Sequence, residues 1–381
     1  MREVSIVGVG IHKYGRFEGK PFQDIGREAV IMALKDANIE WKDVQTAYCS
    51  RQRLPSSTGA KTLADLGKTG IPIVDIEAAC ASGAAALKHA YMAVASEFSD
   101  IALAFGVEKV PRGFMDPSFD YSQWQVHAGM STNPSYWAMK ARRHMEKYGT
   151  TELQIAKVAY KNHKNSVHNP YSMYQKAFTL EEILGSRLVC DPIRLLEICA
   201  PNEGAAAAIV CPKSMARKFT SKPIDIAAVV HQTALYAADF RVPQTSLSAK
   251  IANPGPTVVT SRKAYDEAGI GPEDLDLAEV QDTDAFCEIE IYEDLGLCEY
   301  GEGGRLIDDG VTEIGGKIPV SVSGGLISKG EPVGASHLGQ IFEIVCQLRG
   351  EAGVRQVANA KVGLAQVLGA VGQCATTILK K

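Results

Sequence analysis

Cys80 lies in the run Asp75-Ile76-Glu77-Ala78-Ala79-Cys80-Ala81-Ser82-Gly83, where an apolar, strand-like stretch gives way to an alanine-rich one. A thiol at such a junction falls at or near a helix N-terminus. The unpaired N–H groups and the positive dipole end there favour a thiolate, and the same N–H groups can hold a developing oxyanion. Ala79, Ala81, Ser82 and Gly83 are small enough to let a substrate carbonyl approach. Together these features point to nucleophilic acyl chemistry with Cys80 as the attacking group. Viewed alone, a cysteine in an alanine-rich helix is more often an inert core residue, so the surrounding pattern has to decide.

The elements that must position Cys80 follow from hydrophobic periodicity. Val4 to Val9, Val44 to Cys49 and Ile101 to Val107 read as strands, the last nearly continuous in apolar residues as in a sheet buried on both faces. Ile25 to Ile39 and Glu77 to Ala95 read as helices. A second βαβ-like set begins near Ile224. Ala278 to Gln281 and Ile318 to Val322 are expected strands, and Phe286 to Leu295 and Ser336 to Leu348 are expected helices. Val362 to Ala365 and Cys374 to Leu379 close the chain as strands. Alternation of this kind predicts an α/β class with mainly buried sheets. The length of 381 residues exceeds one small core. The division expected is an N-terminal half over 1–223 and a C-terminal half over 224–381.

Composition narrows the function classes. A net charge of -4 with no basic run gives no support for nucleic-acid binding or a membrane-surface patch. No stretch is apolar for the length of a bilayer span, and the first residues read as a strand rather than a signal peptide. Nine scattered cysteines with no CxxC pair argue against a disulfide framework and against a zinc site. A cytoplasmic, reducing location is expected, with no metal.

An excursion over about 112–165 stands apart. Its first part is rich in aromatic residues and Met, including Phe114, Met115, Phe119, Tyr121, Trp124, Met130, Tyr136, Trp137 and Met139. It reads equally as a cover over a site and as interface or core packing.

Cys80-Ala81-Ser82-Gly83 after an apolar strand resembles the nucleophile motif of thiolases. Further segments are similar to the sterol-carrier type of that family, in the same order: Gly8-Val9-Gly10 with Lys13-Tyr14-Gly15, Gly106-Val107-Glu108-Lys109, Val158 to His163, Asn169-Pro170-Tyr171, Ser186-Arg187, Asp191-Pro192 and Arg194-Leu195-Leu196. Pro201-Asn202-Glu203-Gly204-Ala205 and Ser323-Gly324-Gly325-Leu326 extend the likeness. The resemblance covers nearly the whole chain and turns the reading of Cys80 to nucleophile. It implies the thiolase fold, with two βαβαβαββ halves in five α-β-α-β-α layers, and a homodimer core. It also implies acyl-CoA and CoA as substrate and cosubstrate, with no bound cofactor.

Three positions depart from the family pattern. Where the resemblance implies Asn or His after the second-half strand, this chain has Gln281, whose amide donates a hydrogen bond to an enolate oxygen but is no acid. Where it implies the His of Gly-His-Pro, the chain has Glu331 within Gly330-Glu331-Pro332, a base if burial raises its carboxyl toward neutrality. His337 on the next helix is a weaker substitute, read more readily as a core or surface histidine. In the C-terminal loop Gln366-Val367-Leu368-Gly369, Gln366 cannot transfer a proton, while the backbone at Leu368 and Gly369 is expected to complete the oxyanion hole.

These variants resemble a subgroup of thiolases that works with a small zinc-ribbon/OB-fold partner subunit and includes the cleavage of benzoylsuccinyl-CoA with CoA to benzoyl-CoA and succinyl-CoA. Trp124, Tyr136 and Trp137 are candidates for an aromatic pocket, with Gln366 and His337 also at its wall. Arg142 and Arg143 are candidates for holding a free carboxylate, although a solvated helix face accounts for them more simply. Two alternatives stay open: a retro-aldol lyase acting on a CoA thioester with the same type of partner, and a non-catalytic acyl-CoA- or lipid-binding homologue.

Overall fold

The computed structural model describes residues 2–113, 123–129, 132–235 and 253–381. Its strands are β1 (Val4–Gly15), β2 (Thr46–Ser50), β3 (Ile73–Ile76), β4 (Ala102–Lys109), β5 (Leu188–Cys190), β6 (Ile193–Arg194), β7 (Glu203–Pro212), β8 (Ile224–Gln232), β9 (Leu277–Glu279), β10 (Val362–Leu368) and β11 (Cys374–Lys380). The helices that carry the argument are α1 (Phe22–Asp36), α2 (Ser82–Ala95), α3 (Asn133–Tyr148), α4 (Glu152–Ser166), α5 (Pro256–Ala268), α6 (Ala285–Asp294) and α7 (Ser336–Arg349).

The strand order β3-β2-β4-β7-β1 continues into β8-β11-β10-β9. β1 and β8 meet only at Ser5–Asp225 and Ile6–Ile224. On either side of that junction the pairing repeats. β1–β7 and β7–β4 are antiparallel and β4–β2 and β2–β3 parallel. β8–β11 and β11–β10 are antiparallel and β10–β9 parallel, with a parallel bridge from Ala278 to Val320. The expected strand over Ile318 to Val322 is reduced to that bridge, since Pro319 has no N–H to give to a ladder.

Helices complete the layers. α1 packs on β1, β7 and β4 at one outer face, and α5 on β8, β11 and β10 at the other. α2 and α7 lie between the two sets of strands, touching each other and strands of both. This is the five-layered thiolase-type arrangement. α2 tolerates the middle position because its side chains are small and buried nearly all round. At Gly83 an added Cβ would stand 3.2 Å from the Cβ of His337, so a glycine there sets the close approach of the two central helices.

Candidate active site

The turn that carries Cys80 is built from its neighbours. α2 starts at Ser82 rather than at Glu77, because Ala79 takes a left-handed conformation with φ 50°. A non-glycine residue there costs about 1–2 kcal/mol, which the turn offsets with local bonds. The Ser82 hydroxyl accepts from Ala78 N at 2.8 Å and donates to Ala79 O at 2.6 Å. The Glu77 carboxylate accepts from Ala79 N at 2.7 Å. Cys80 thus sits just ahead of the α2 N-terminus, its thiol on the wall of a cavity of about 620 Å³. Gly369 packs on the same turn: a Cβ there would fall 3.0 Å from Cys80 N and 3.1 Å from Ala81 N.

Glu331 and Cys199 line the same cavity. The segment around Pro201 runs parallel to Glu331, with Glu331 N donating to Ala200 O at 2.9 Å and Asn202 N to Glu331 O at 3.3 Å. Cys199 N donates to Thr283 O at 2.9 Å. The Cys199 thiol hydrogen-bonds the Glu331 carboxylate and lies near Cys80. Burial above all, then Glu331, Asp282 and Cys80, pushes the Cys199 thiol well up, so it stays protonated at neutral pH.

Gln281 stands behind Glu331, not on the cavity wall. Its Nε2 donates to Glu331 Oε1 at 2.7 Å. Its backbone N donates to Gln366 Oε1 at 3.1 Å, and Gln366 Nε2 in turn donates to Thr257 Oγ1 at 3.1 Å. The expectation of Gln281 as a direct enolate donor is corrected to a group that holds the Glu331 carboxylate. Gln366 is likewise a buried support behind the wall. Gly369 cannot lend its N–H to an oxyanion, since that group donates to Gln373 O at 2.6 Å in the turn between β10 and β11. Leu368 is paired with Cys374 across the same hairpin.

His337 is wholly buried on α7, between Gln340 Oε1 at 3.0 Å and Thr377 Oγ1 at 3.1 Å. Burial lowers it to about 3, so it is a neutral core histidine and not a substitute base. Trp137 lines the cavity, and Tyr136 packs edge-on against it at 5.3 Å between ring centroids. Trp124 lies off the cavity wall and is exposed. Arg142 is also away from the wall, held on the surface by Asp191 and Glu152. Arg143 is exposed on the same helix and off the wall. The excursion residues 114–122, 130 and 131 lie outside the described residues.

The arginines that do reach the cavity are Arg16, Arg53, Arg112 and Arg187, and His163 adds an imidazole. His163 is tied at Nδ1 to Ser328 Oγ (2.9 Å) and at Nε2 to Leu196 O (3.0 Å), and burial lowers it to about 4. None of these was legible beforehand, nor was Cys199. Each comes from a segment apart from Cys80 in the chain, and the tertiary fold brings them together.

A buried polar network fixes the Glu331 loop. Asp282 accepts from Leu326 N at 2.7 Å, Ile327 N at 3.3 Å and Asn162 Nδ2 at 2.9 Å. Asn162 also donates to Glu288 at 2.7 Å, and Lys161 pairs with Glu288 at 2.5 Å inside the protein. Among the described residues no group of three or more His, Cys, Asp or Glu is arranged to hold a metal ion.

Residues 4–214 match the family described as Thiolase, N-terminal domain, and 243–381 match Thiolase C-terminal domain-like. The chain belongs to the thiolase family. Among thiolase relatives it is 40% identical over 382 residues to the acetyl-CoA acetyltransferase of Methanothermobacter thermautotrophicus, covering 98% of this chain and 97% of that one. It is 36% identical to human sterol carrier protein 2, covering 100% of this chain and 72% of that protein. It is 35% identical to the benzoylsuccinyl-CoA thiolase subunit BbsB of Thauera aromatica, covering 97% and 95%. A solved structure, the Ltp2-ChsH2(DUF35) aldolase, superposes with a TM-score of 0.87 at 25% identity, covering 99% of this chain and 97% of that one. This thiolase is an atypical member of the sterol-carrier type and, by class, an acyltransferase. No helix among its described residues is long and apolar enough to cross a membrane.

Proposed function

We propose that this thiolase cleaves a 3-oxoacyl-CoA through an acyl-cysteine on Cys80 and passes the acyl group to CoA. The observation that carries the reading is the placement of Cys80 and Glu331 on one cavity, with Cys80 at the N-terminus of α2. Glu331 takes the Cys80 proton as the substrate settles. The thiolate adds to the ketone carbon, and the helix dipole end favours the oxyanion that forms. Collapse breaks the bond to the α-carbon, leaving an acylated Cys80 and a thioester enolate. Protonation of the enolate consumes, in net, the proton that Glu331 took from Cys80, and CoA, deprotonated by the Glu331 carboxylate so restored, then removes the acyl group.

For the acyl group, the reading is an aromatic ketone bearing a carboxylate, with benzoylsuccinyl-CoA as the candidate. Trp137 and Phe178 offer apolar surface for a phenyl ring, and Arg16, Arg53, Arg112 and Arg187 offer cations for a carboxylate or for CoA phosphates. The identity to the BbsB subunit supports the same choice. The proposed assembly is a homodimer core with a small zinc-ribbon/OB-fold partner, the two halves of each chain dividing at 223/224. No cofactor is required beyond CoA as cosubstrate. All nine cysteines are free thiols, which suits a reducing cytoplasm.

The test is incubation with benzoylsuccinyl-CoA, with and without the partner and without free CoA, followed by peptide mass spectrometry. A benzoyl group on Cys80 is the expected result. Cleavage of substrate with Cys80 unmodified would overturn the thiolytic reading. The second reading, retro-aldol cleavage, requires a 3-hydroxyacyl-CoA in place of the ketone; cleavage of such a substrate with Cys80 unmodified would favour it, and the likeness to the Ltp2-ChsH2(DUF35) aldolase over nearly the whole chain supports it.

A further inference from the structure

We infer that Cys199 is the general acid that protonates the carbon released in the cleavage, with Glu331 as the group that reloads it. The inference rests on the thiolytic reading above and assigns a step that Cys80 and Glu331 leave open. Breaking the bond between the ketone carbon and the α-carbon places an electron pair on the α-carbon, and a proton has to reach it inside the cavity. Few groups on the wall can supply one. His163 is neutral and engaged at both ring nitrogens. The Asp284 carboxylate is occupied in capping α6, accepting from Cys287 N at 3.0 Å. Gln281 cannot release a proton and stands behind the wall.

Cys199 meets the requirements by position. It lines the cavity with Cys80 and Glu331. Its backbone is fixed by Thr283 O, and the next residue's carbonyl, Ala200 O, accepts from Glu331 N at 2.9 Å. The thiol and the carboxylate are therefore held by adjoining backbone, and they share a hydrogen bond. A thiol kept protonated by burial still holds a proton at neutral pH, and a carbanion is basic enough to take it.

The protons balance over the cycle. Glu331 takes the proton of Cys80. The Cys80 thiolate adds, the carbon–carbon bond breaks, and the Cys199 S–H proton goes to the α-carbon. Protonated Glu331 then returns a proton to the Cys199 thiolate. CoA gives its thiol proton to Glu331 and attacks the acylated Cys80. The released Cys80 thiolate recovers that proton from Glu331, which restores the starting state.

The test compares two half-reactions in Cys199→Ala and Cys199→Ser, prepared with whatever partner the wild-type enzyme needs. One is transfer of an acyl group from a simple acyl-CoA onto Cys80, which forms no carbanion. The other is exchange of the α-protons of the product thioester with solvent deuterium. The exchange, and with it carbon–carbon cleavage, should fall on the order of 10²–10⁴-fold in both variants, while Cys80 still acylates. Exchange at the wild-type rate with intact acylation would overturn the role of Cys199 alone. Equal loss of both half-reactions would reduce Cys199 to a structural contact and equally overturn it. Failure of the wild-type Cys80 to acylate would instead remove the thiolytic reading on which the inference stands.

Discussion

The Gln281 side chain donates to the Glu331 carboxylate across 2.7 Å, and both groups are almost wholly buried. A residue from the end of the second-half strand region thereby holds the carboxylate, supplied by the loop before α7, that is proposed as the base. Glu331→Gln is expected to lower kcat for cleavage on the order of 10²–10⁴-fold. Gln281→Leu leaves the buried carboxylate short of a donor and should cost about 1–3 kcal/mol in stability. Steady-state kinetics and urea unfolding of the two variants check this. A Glu331→Gln enzyme with wild-type kcat would remove Glu331 from the chemistry.

Gly369 presses against the backbone of the Cys80 turn. An alanine Cβ would lie 3.0 Å from Cys80 N and 3.2 Å from Ala78 O, so the turn or the β10–β11 hairpin has to move. Gly369→Ala is expected to slow acylation of Cys80 by roughly 10²-fold, the scale of losing one oxyanion donor. Rapid-quench measurement of the acyl-enzyme reads this directly, and an unchanged rate would show that the turn tolerates displacement.

Lys161 and Glu288 form an ion pair inside the protein, and Lys161 also donates to Val320 O at 2.5 Å. Removing one partner strands the other charge in a low-dielectric interior. Lys161→Met should therefore destabilise the fold by about 3–5 kcal/mol. A chemical-denaturation difference below about 1 kcal/mol would contradict the view that this network is fully desolvated.

His337 is lowered to about 3 by burial. Its unfolded value is near 6.5, so below that pH the unfolded chain binds a proton that the folded chain refuses. The contribution of the neutral histidine is fully present above about 6.5 and is lost as pH falls, by roughly 1.4 kcal/mol per pH unit until about 3. The stability advantage of the wild type over His337→Gln should thus narrow by about 2 kcal/mol between pH 7 and pH 5. Comparing the two proteins cancels the other titrating groups, and a constant difference would show that His337 is not held neutral.

Much of this molecule was legible in its residues. The strand and helix around Cys80 follow from a short apolar stretch meeting small residues, and those signals are local. The α/β layering followed from periodicity for the same reason. Local reading still missed the left-handed Ala79, which delays α2 to Ser82, and it drew Ile318 to Val322 as a full strand.

The sequence by itself determined the local setting of Cys80, the layered fold and the family, because each depends on neighbouring residues or on order along the chain. Only the tertiary structure decided which groups face Cys80. It brought Cys199 and Glu331 to the cavity, put Gln281 and Gln366 behind it, sent His337 into the core and left Arg142 on the surface. The physical reason is that these positions are fixed by pairing between distant segments, as where Pro201 lies alongside Glu331. Burial and partner then set the charge of each group, and neither can be read before the chain has folded.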